Sequence, residues 1–144
     1  MTIRGDRKTT RVTFRLAARL AHRSIAIDLV STLLEHVAGA DAGFRNAVIT
    51  AFSEAYNNVV IHGYENRSDG MLDVEAELGP DQIKLTLRDT GVAADLTAVE
   101  LPDLDTLPEG GLGIYMMRAL MDEVVYESGN PNVLCLTKRT ESPL

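Results

Sequence analysis

Apolar and polar residues alternate over residues 9–16, with Val12, Phe14 and Leu16 set against Thr13 and Arg15. That period of two predicts a strand with one buried face. Over residues 17–37 the period changes. Leu20, Ile27, Leu34 and Val37 recur at helical spacing and predict a long first helix. Gly39-Ala40-Asp41-Ala42-Gly43 breaks it, and Asp41 is placed to cap a second helix over residues 42–62. Residues 71–78 and 83–88 alternate again about the turn Gly79-Pro80-Asp81-Gln82, the pattern of a β-hairpin. Residues 114–121 read as a third helix, and 122–127 and 132–139 as two further strands joined by Ser128-Gly129-Asn130-Pro131. Residues 1–7 and the tail after Thr140 carry no regular pattern.

The order of these elements predicts an α/β (α+β) two-layer sandwich. A mixed, mostly antiparallel sheet would be covered on one face by three helices. No repeat and no linker interrupts the chain, so residues 1–144 read as a single domain. Residues 92–109 are long, acidic and irregular, with Pro102 and Pro108; in a compact domain such a segment is a functional loop or lid.

Composition narrows the classes of function. The chain has 144 residues, 45% hydrophobic and 24% charged, which is enough apolar material for one soluble core. A net charge of -7 speaks against nucleic acid and against an anionic membrane as partner. Arg4, Arg7, Lys8, Arg11, Arg15, Arg19 and Arg23 form a locally basic start, either a solvated face or a docking surface for an acidic partner. Cys135 is the sole cysteine, so no internal disulfide forms and a reducing cytoplasm is the natural setting. Its apolar neighbours Leu134 and Leu136 predict a buried, inert thiol. His22, His36 and His62 lack metal-ligand spacing, and no apolar run reaches membrane-spanning length.

The chemistry concentrates at the end of the second helix. Glu54, Asn58 and His62 are spaced i, i+4, i+8, which at about 100° per residue makes one polar stripe. Val48, Phe52, Ala55 and Val59 make the neighbouring apolar stripe, and Gly63 is placed as a C-cap glycine. An amide oxygen suits Mg²⁺, which takes few protein ligands besides phosphate and water. A carboxylate beside it can orient or deprotonate a hydroxyl. Asp89 ends a strand at Asp89-Thr90-Gly91, where it either accepts from a ligand amino group or closes an Asx turn. Gly110-Gly111-Leu112-Gly113 opens a helix, the setting in which a backbone cradles phosphate. It is neither a Walker A loop nor a dinucleotide-binding fingerprint, since no Lys-Ser or Lys-Thr follows and it comes after the lid.

These motifs stand in a fixed order. Glu54-Ala55-x-x-Asn58-x-x-x-His62-Gly63-Tyr64, then Asp89-Thr90-Gly91, then Gly110-Gly111-Leu112-Gly113-Ile114 resemble the three motifs of the GHKL ATPases. Within that superfamily the chain is similar to the anti-sigma-factor serine kinases of the RsbW and SpoIIAB type, from the first strand to Arg139. The resemblance implies the Bergerat ATP-binding fold, with ATP and Mg²⁺ as cofactors and residues 92–109 as an ATP lid. It implies that Asn58 holds the Mg²⁺ and that Glu54 polarises the attacking hydroxyl. Asp89 would bind the adenine amino group, with Gly91 leaving room for the base. Gly110, Gly111, Leu112 and Gly113 would shape the phosphate turn, and His62 would flank the site. The chain departs from the family pattern at two places. Ala93 stands where another glycine is frequent, and Pro131-Asn132 stands where Gly-Thr is frequent, so Asn132 would take over a nucleotide contact through its amide.

The implied function is an ATP-dependent protein serine kinase and anti-sigma factor in the cytoplasm. Its partners would be a sigma factor, a STAS-type anti-anti-sigma protein phosphorylated on serine, and a second copy of the chain. Two alternatives remain open. One is a catalytically weak or inactive partner-binding module on the same fold; the other is a related switch kinase acting on a signalling scaffold.

Overall fold

The computed structural model describes residues 1–5, 8–94 and 111–140. Six strands form one sheet, β1 (Thr2–Gly5), β2 (Thr10–Ala17), β3 (Met71–Leu78), β4 (Gln82–Asp89), β5 (Glu123–Glu127) and β6 (Asn132–Arg139), in the order β1-β2-β3-β4-β6-β5. Three α-helices, α1 (Arg23–Leu34), α2 (Ala42–Asn57) and α3 (Gly111–Leu120), complete an α/β sandwich. Every strand pairing among the described residues is antiparallel, so the sheet is not mixed as the sequence suggested.

The period-of-two pattern becomes the two faces of the sheet. Leu72, Val74, Ala76 and Leu78 of β3 and Ile83, Leu85 and Leu87 of β4 are buried under the helices. Asp73, Glu75 and Glu77 point the other way. There Arg15 meets Asp73 at 2.5 Å, Arg11 meets Glu75 at 2.9 Å and also pairs with Glu77, and Arg88 meets Glu75 at 3.2 Å. Part of the basic N-terminal run is thus spent on a solvated ladder of ion pairs, each worth less than about 1 kcal/mol. Cys135 also lies on this outer face, half-buried with its sulfur 3.6 Å from Thr86 Oγ1, and not in the core as its neighbours suggested.

Helix α2 forms because Asp41 caps it, accepting from the Phe44 N–H at 2.8 Å, and because its apolar residues recur on one side. Val48, Ala51, Phe52, Ala55 and Tyr56 are fully buried. Large side chains of this kind each contribute about 1.5–3 kcal/mol by leaving water. The Tyr56 hydroxyl keeps its hydrogen bond by donating to the Arg19 carbonyl at 2.5 Å, which ties α2 to the segment between β2 and α1.

Four boundaries differ from the sequence pattern. Residues 2–5 form a strand, too short to carry a period, which gains its order by pairing with β2. The first helix begins later, after a 3₁₀ turn over Leu20–His22. Helix α3 begins at Gly111, so two of the motif glycines sit inside its first turn. The second helix changes character at Asn58 and finishes as a π-helical segment, Asn58–Gly63.

Candidate functional site

The π-helical segment decides which side chains face the site. Its wider turn is closed by the Tyr64 N–H donating to the Val59 carbonyl at 2.8 Å, an i to i+5 bond. In a 3.6-residue helix His62 would follow Asn58 along one stripe. In the wider turn Gly63 takes that place and His62 is carried round to an exposed position. Asn58, Gly63 and Asp89 accordingly line one small cavity with Ala55, Val59, Val92, Ala94, Met117, Tyr126 and Leu134, and His62 does not. Gly63 is also not a left-handed C-cap. The positive φ values after this helix fall on Glu65 and Asn66, at 54° and 60°.

Asp89 continues the inward alternation of Leu85 and Leu87, so the end of β4 delivers a carboxylate to the buried face at 9% exposure. Its Oδ1 accepts from the Gly91 N–H at 2.9 Å and from Asn132 Nδ2 at 3.1 Å. Oδ2 has no hydrogen-bond partner among the described residues. The Asx turn expected as one alternative is thus present, made by Oδ1.

The backbone after Asp89 is held from three sides. The Tyr64 hydroxyl accepts from the Thr90 N–H at 2.9 Å and donates to the Met71 carbonyl at 2.6 Å. The Val92 N–H donates to the Gly63 carbonyl at 2.7 Å. The Ala94 N–H donates to the Tyr126 hydroxyl at 2.8 Å. Gly91 passes so close to the helix end that a Cβ there would lie 2.4 Å from the Gly63 carbonyl oxygen. The space that Gly91 leaves is therefore filled by the Gly63 peptide.

Glu54 approaches the site from α2 and meets the first turn of α3. A Cβ on Gly113 would lie 2.6 Å from Glu54 Oε2, so the absence of a side chain there makes room for the carboxylate. The N–H groups of a helix's first turn lack intrahelical partners and carry a positive dipole end. Glu54 and Asn58 are half-buried, and neither side chain has a hydrogen-bond partner among the described residues.

The structure thus brings Glu54, Asn58, Asp89, Gly91, Gly113 and Asn132 to one end of the fold and leaves His62 outside. Gly110 and most of the expected lid, residues 95–109, lie outside the described residues; Gly111 and Leu112 are described only as helical backbone. Asn132 is only 1% exposed, and both hydrogens of its amide are spent, on Asp89 and on the Gly91 carbonyl at 2.9 Å. It therefore has no donor left for the nucleotide contact expected of it. Tyr64, Met117 and Tyr126 were not singled out from the sequence. Tyr64 belonged to the quoted motif, but nothing local signals a hydroxyl that bonds to backbone far along the chain. No group of three or more His, Cys, Asp or Glu capable of holding a metal occurs among the described residues.

Residues 16–138 match the histidine kinase-like ATPase domain family. The chain belongs to that family. Within this ATPase family its likeness is to the RsbW and SpoIIAB type. It is 39% identical over 100 residues to the anti-sigma F factor of Clostridium beijerinckii, covering 65% of this chain and 70% of that one. It is 39% identical over 84 residues to the anti-sigma F factor of Heyndrickxia coagulans, covering 55% of this chain and 57% of that one. The fold matches a crystal structure of the RsbU and RsbW domains of a Mycobacterium tuberculosis protein. The TM-score is 0.64 at 21% identity, over 90% of this chain and 31% of that one. It also matches a histidine kinase domain from a blue-light-activated kinase of Erythrobacter litoralis, with a TM-score of 0.55 at 15% identity over 83% of this chain and 60% of that one. As a family member the chain carries a histidine kinase-like ATPase domain, and Asn58 and Asp89 lie within the matched residues.

Proposed function

We propose that this protein is a Mg²⁺- and ATP-dependent serine kinase that also acts as an anti-sigma factor. The observation that carries the reading is a convergence beside the glycine-opened N-terminus of α3. Glu54 and Asn58, whose side chains have no hydrogen-bond partner among the described residues, meet there with the second carboxylate oxygen of Asp89, which has none either. Left unpaired, such half-buried polar groups cost free energy, and a ligand that meets them recovers it. The names of the relatives, anti-sigma F factors, support a sigma factor as one partner.

The donor set fits the implied cofactors. Asn58 supplies a neutral oxygen of the kind Mg²⁺ accepts, and the bound metal would neutralise charge on the phosphates. The Asp89 Oδ2 offers an acceptor to the amino group of the base. The first-turn N–H groups of α3 face the anionic end. Glu54, beside Gly113, is placed to orient a serine hydroxyl from the protein substrate and take up its proton. The substrate in this reading is a STAS-type anti-anti-sigma protein.

A homodimer has a surface suited to it. A groove of about 690 Å³ is lined by Met1, Ile3, Phe14, Leu29, Leu33 and Leu78, and Ile3 is 63% exposed on it. It lies away from the catalytic end, so a second copy seated there would leave the ATP site open. Among the described residues no helix is long and apolar enough to cross a membrane.

The reading is tested by incubating the protein with MgATP and a purified STAS partner, then mapping phosphate by mass spectrometry. The expected product carries one phosphoserine. Binding of the STAS protein and sigma factor without phosphate transfer would instead identify a partner-binding module. Transfer to a signalling scaffold but not to the STAS protein would identify the switch kinase.

A further inference from the structure

Asp89 and Asn132 are 43 residues apart in sequence yet directly paired in register across β4 and β6. Asn132 uses its whole amide inside the protein. Its two N–H groups go to Asp89 Oδ1 and the Gly91 carbonyl, and its Oδ1 accepts from the Gly129 N–H at 3.0 Å. This network fixes which end of the amide faces Asp89. A short hydroxyl at this position has one hydrogen to donate and cannot satisfy both acceptors.

We propose that Asn132 is a positioning and specificity-determining residue that never touches the ligand. It occupies one oxygen of Asp89 and clamps the Asp89-Thr90-Gly91 turn. At Asp89 the site then presents to a base one fixed acceptor. That arrangement selects a nucleotide whose base carries an exocyclic amino group and rejects one with a carbonyl at the same place. The inference rests on the reading of this site as nucleotide-binding.

Replacing Asn132 by aspartate tests the arrangement through charge. Two carboxylates at hydrogen-bond distance cannot both ionise without strong repulsion, so one is held protonated well above the usual carboxylate range. While the pair shares a proton, the introduced carboxylic acid donates to Asp89 much as the amide did. Once that proton is lost the donor vanishes and the turn is pushed apart. The other polar groups beside the pair are Asn58 on the π-helical segment, Tyr126 on β5 and Tyr64, whose hydroxyl accepts from the Thr90 N–H, with Met117 of α3 packed against them.

The experiment measures ADP binding by calorimetry for the wild type, Asn132→Asp, Asn132→Leu and Asn132→Thr. Readings are taken at about pH 5.5 and about pH 8.5, with ADP compared against IDP and folding checked by thermal melting. At the higher pH, Asn132→Asp and Asn132→Leu are expected to bind ADP about ten- to a hundredfold more weakly than the wild type. At the lower pH, Asn132→Asp alone should recover at least about threefold of that loss, because a shared proton restores the donor to Asp89 while the Gly91 carbonyl stays without one. Asn132→Thr should fall between the wild type and Asn132→Leu, and the wild type should prefer ADP to IDP at both pH values. Asn132→Asp binding like the wild type at both pH values, or equally weakly at both with an intact fold, would overturn the inference while leaving the nucleotide site in place. A wild type that binds neither ADP nor IDP would remove the nucleotide reading itself, and the inference with it.

Discussion

Replacing Gly91 by alanine is expected to damage both the fold and the site, although it adds a single methyl group. That methyl would stand 2.4 Å from the Gly63 carbonyl oxygen and 2.5 Å from its carbon. Both atoms belong to backbone, so no side chain can swing aside. The two segments must separate, and the hydrogen bond from the Val92 N–H to the Gly63 carbonyl at 2.7 Å is the contact that gives way. Forcing atoms into closely packed space costs about 1–3 kcal/mol, and losing the hydrogen bond adds about 1 kcal/mol. At roughly 3 °C per kcal/mol for a chain of this length, the melting temperature should fall by about 6–12 °C. Gly43→Ala is the control, because a Cβ there meets only Asp41 Oδ1 at an ordinary 3.5 Å. Differential scanning calorimetry of both variants checks this. A Gly91→Ala melting temperature equal to that of Gly43→Ala would show that the Asp89-Thr90-Gly91 turn does not press on the helix end.

The second large effect concerns catalysis alone. Glu54→Gln keeps the shape of the side chain beside Gly113 and removes its charge and basicity. If Glu54 orients and deprotonates the serine hydroxyl, transfer to the STAS partner should slow by about a hundred- to ten-thousandfold. MgATP affinity should stay within a fewfold, since Asn58, Asp89 and the first turn of α3 are unchanged. Single-turnover phosphorylation measured beside equilibrium nucleotide binding separates the two quantities. An unchanged transfer rate would remove Glu54 from the mechanism. Equal losses in binding and transfer would make it a residue that shapes the pocket.

The strands and helices that could be read from sequence are those whose order comes from burial. The alternation in β3 and β4 and the apolar face of α2 report a side chain's depth directly, because the core selects for it. The strand β1 escaped because four residues cannot show a period and its order comes from pairing with β2. The antiparallel character of the whole sheet depends on non-local pairing, which no local pattern records. The change from α-helix to π-helix at Asn58 is a choice among backbone hydrogen bonds, and it alone displaced His62 from the stripe formed by Glu54 and Asn58. Asn132 shows the limit most clearly. Its alternation with Leu134 and Leu136 matches that of Asp89 with Leu85 and Leu87, so both were readable as inward-facing. That they face each other depends on the β4–β6 register. Tyr64 and Tyr126 steady the same turn through hydroxyls that find backbone partners 26 and 32 residues away, a relation that spacing does not reveal.

The central claim is that Asn58 anchors a Mg²⁺-dependent nucleotide site next to Asp89. Titrating ATP into the wild type and Asn58→Ala by calorimetry, with and without Mg²⁺, tests it most directly. The account predicts that Mg²⁺ strengthens wild-type binding and that Asn58→Ala loses that increment while keeping its fold. With MgATP at about a hundred times its dissociation constant, the wild type should gain about 2.7 kcal/mol of stability from the ligand. Wild-type binding that ignores Mg²⁺, or a Mg²⁺ increment that survives Asn58→Ala, would contradict it.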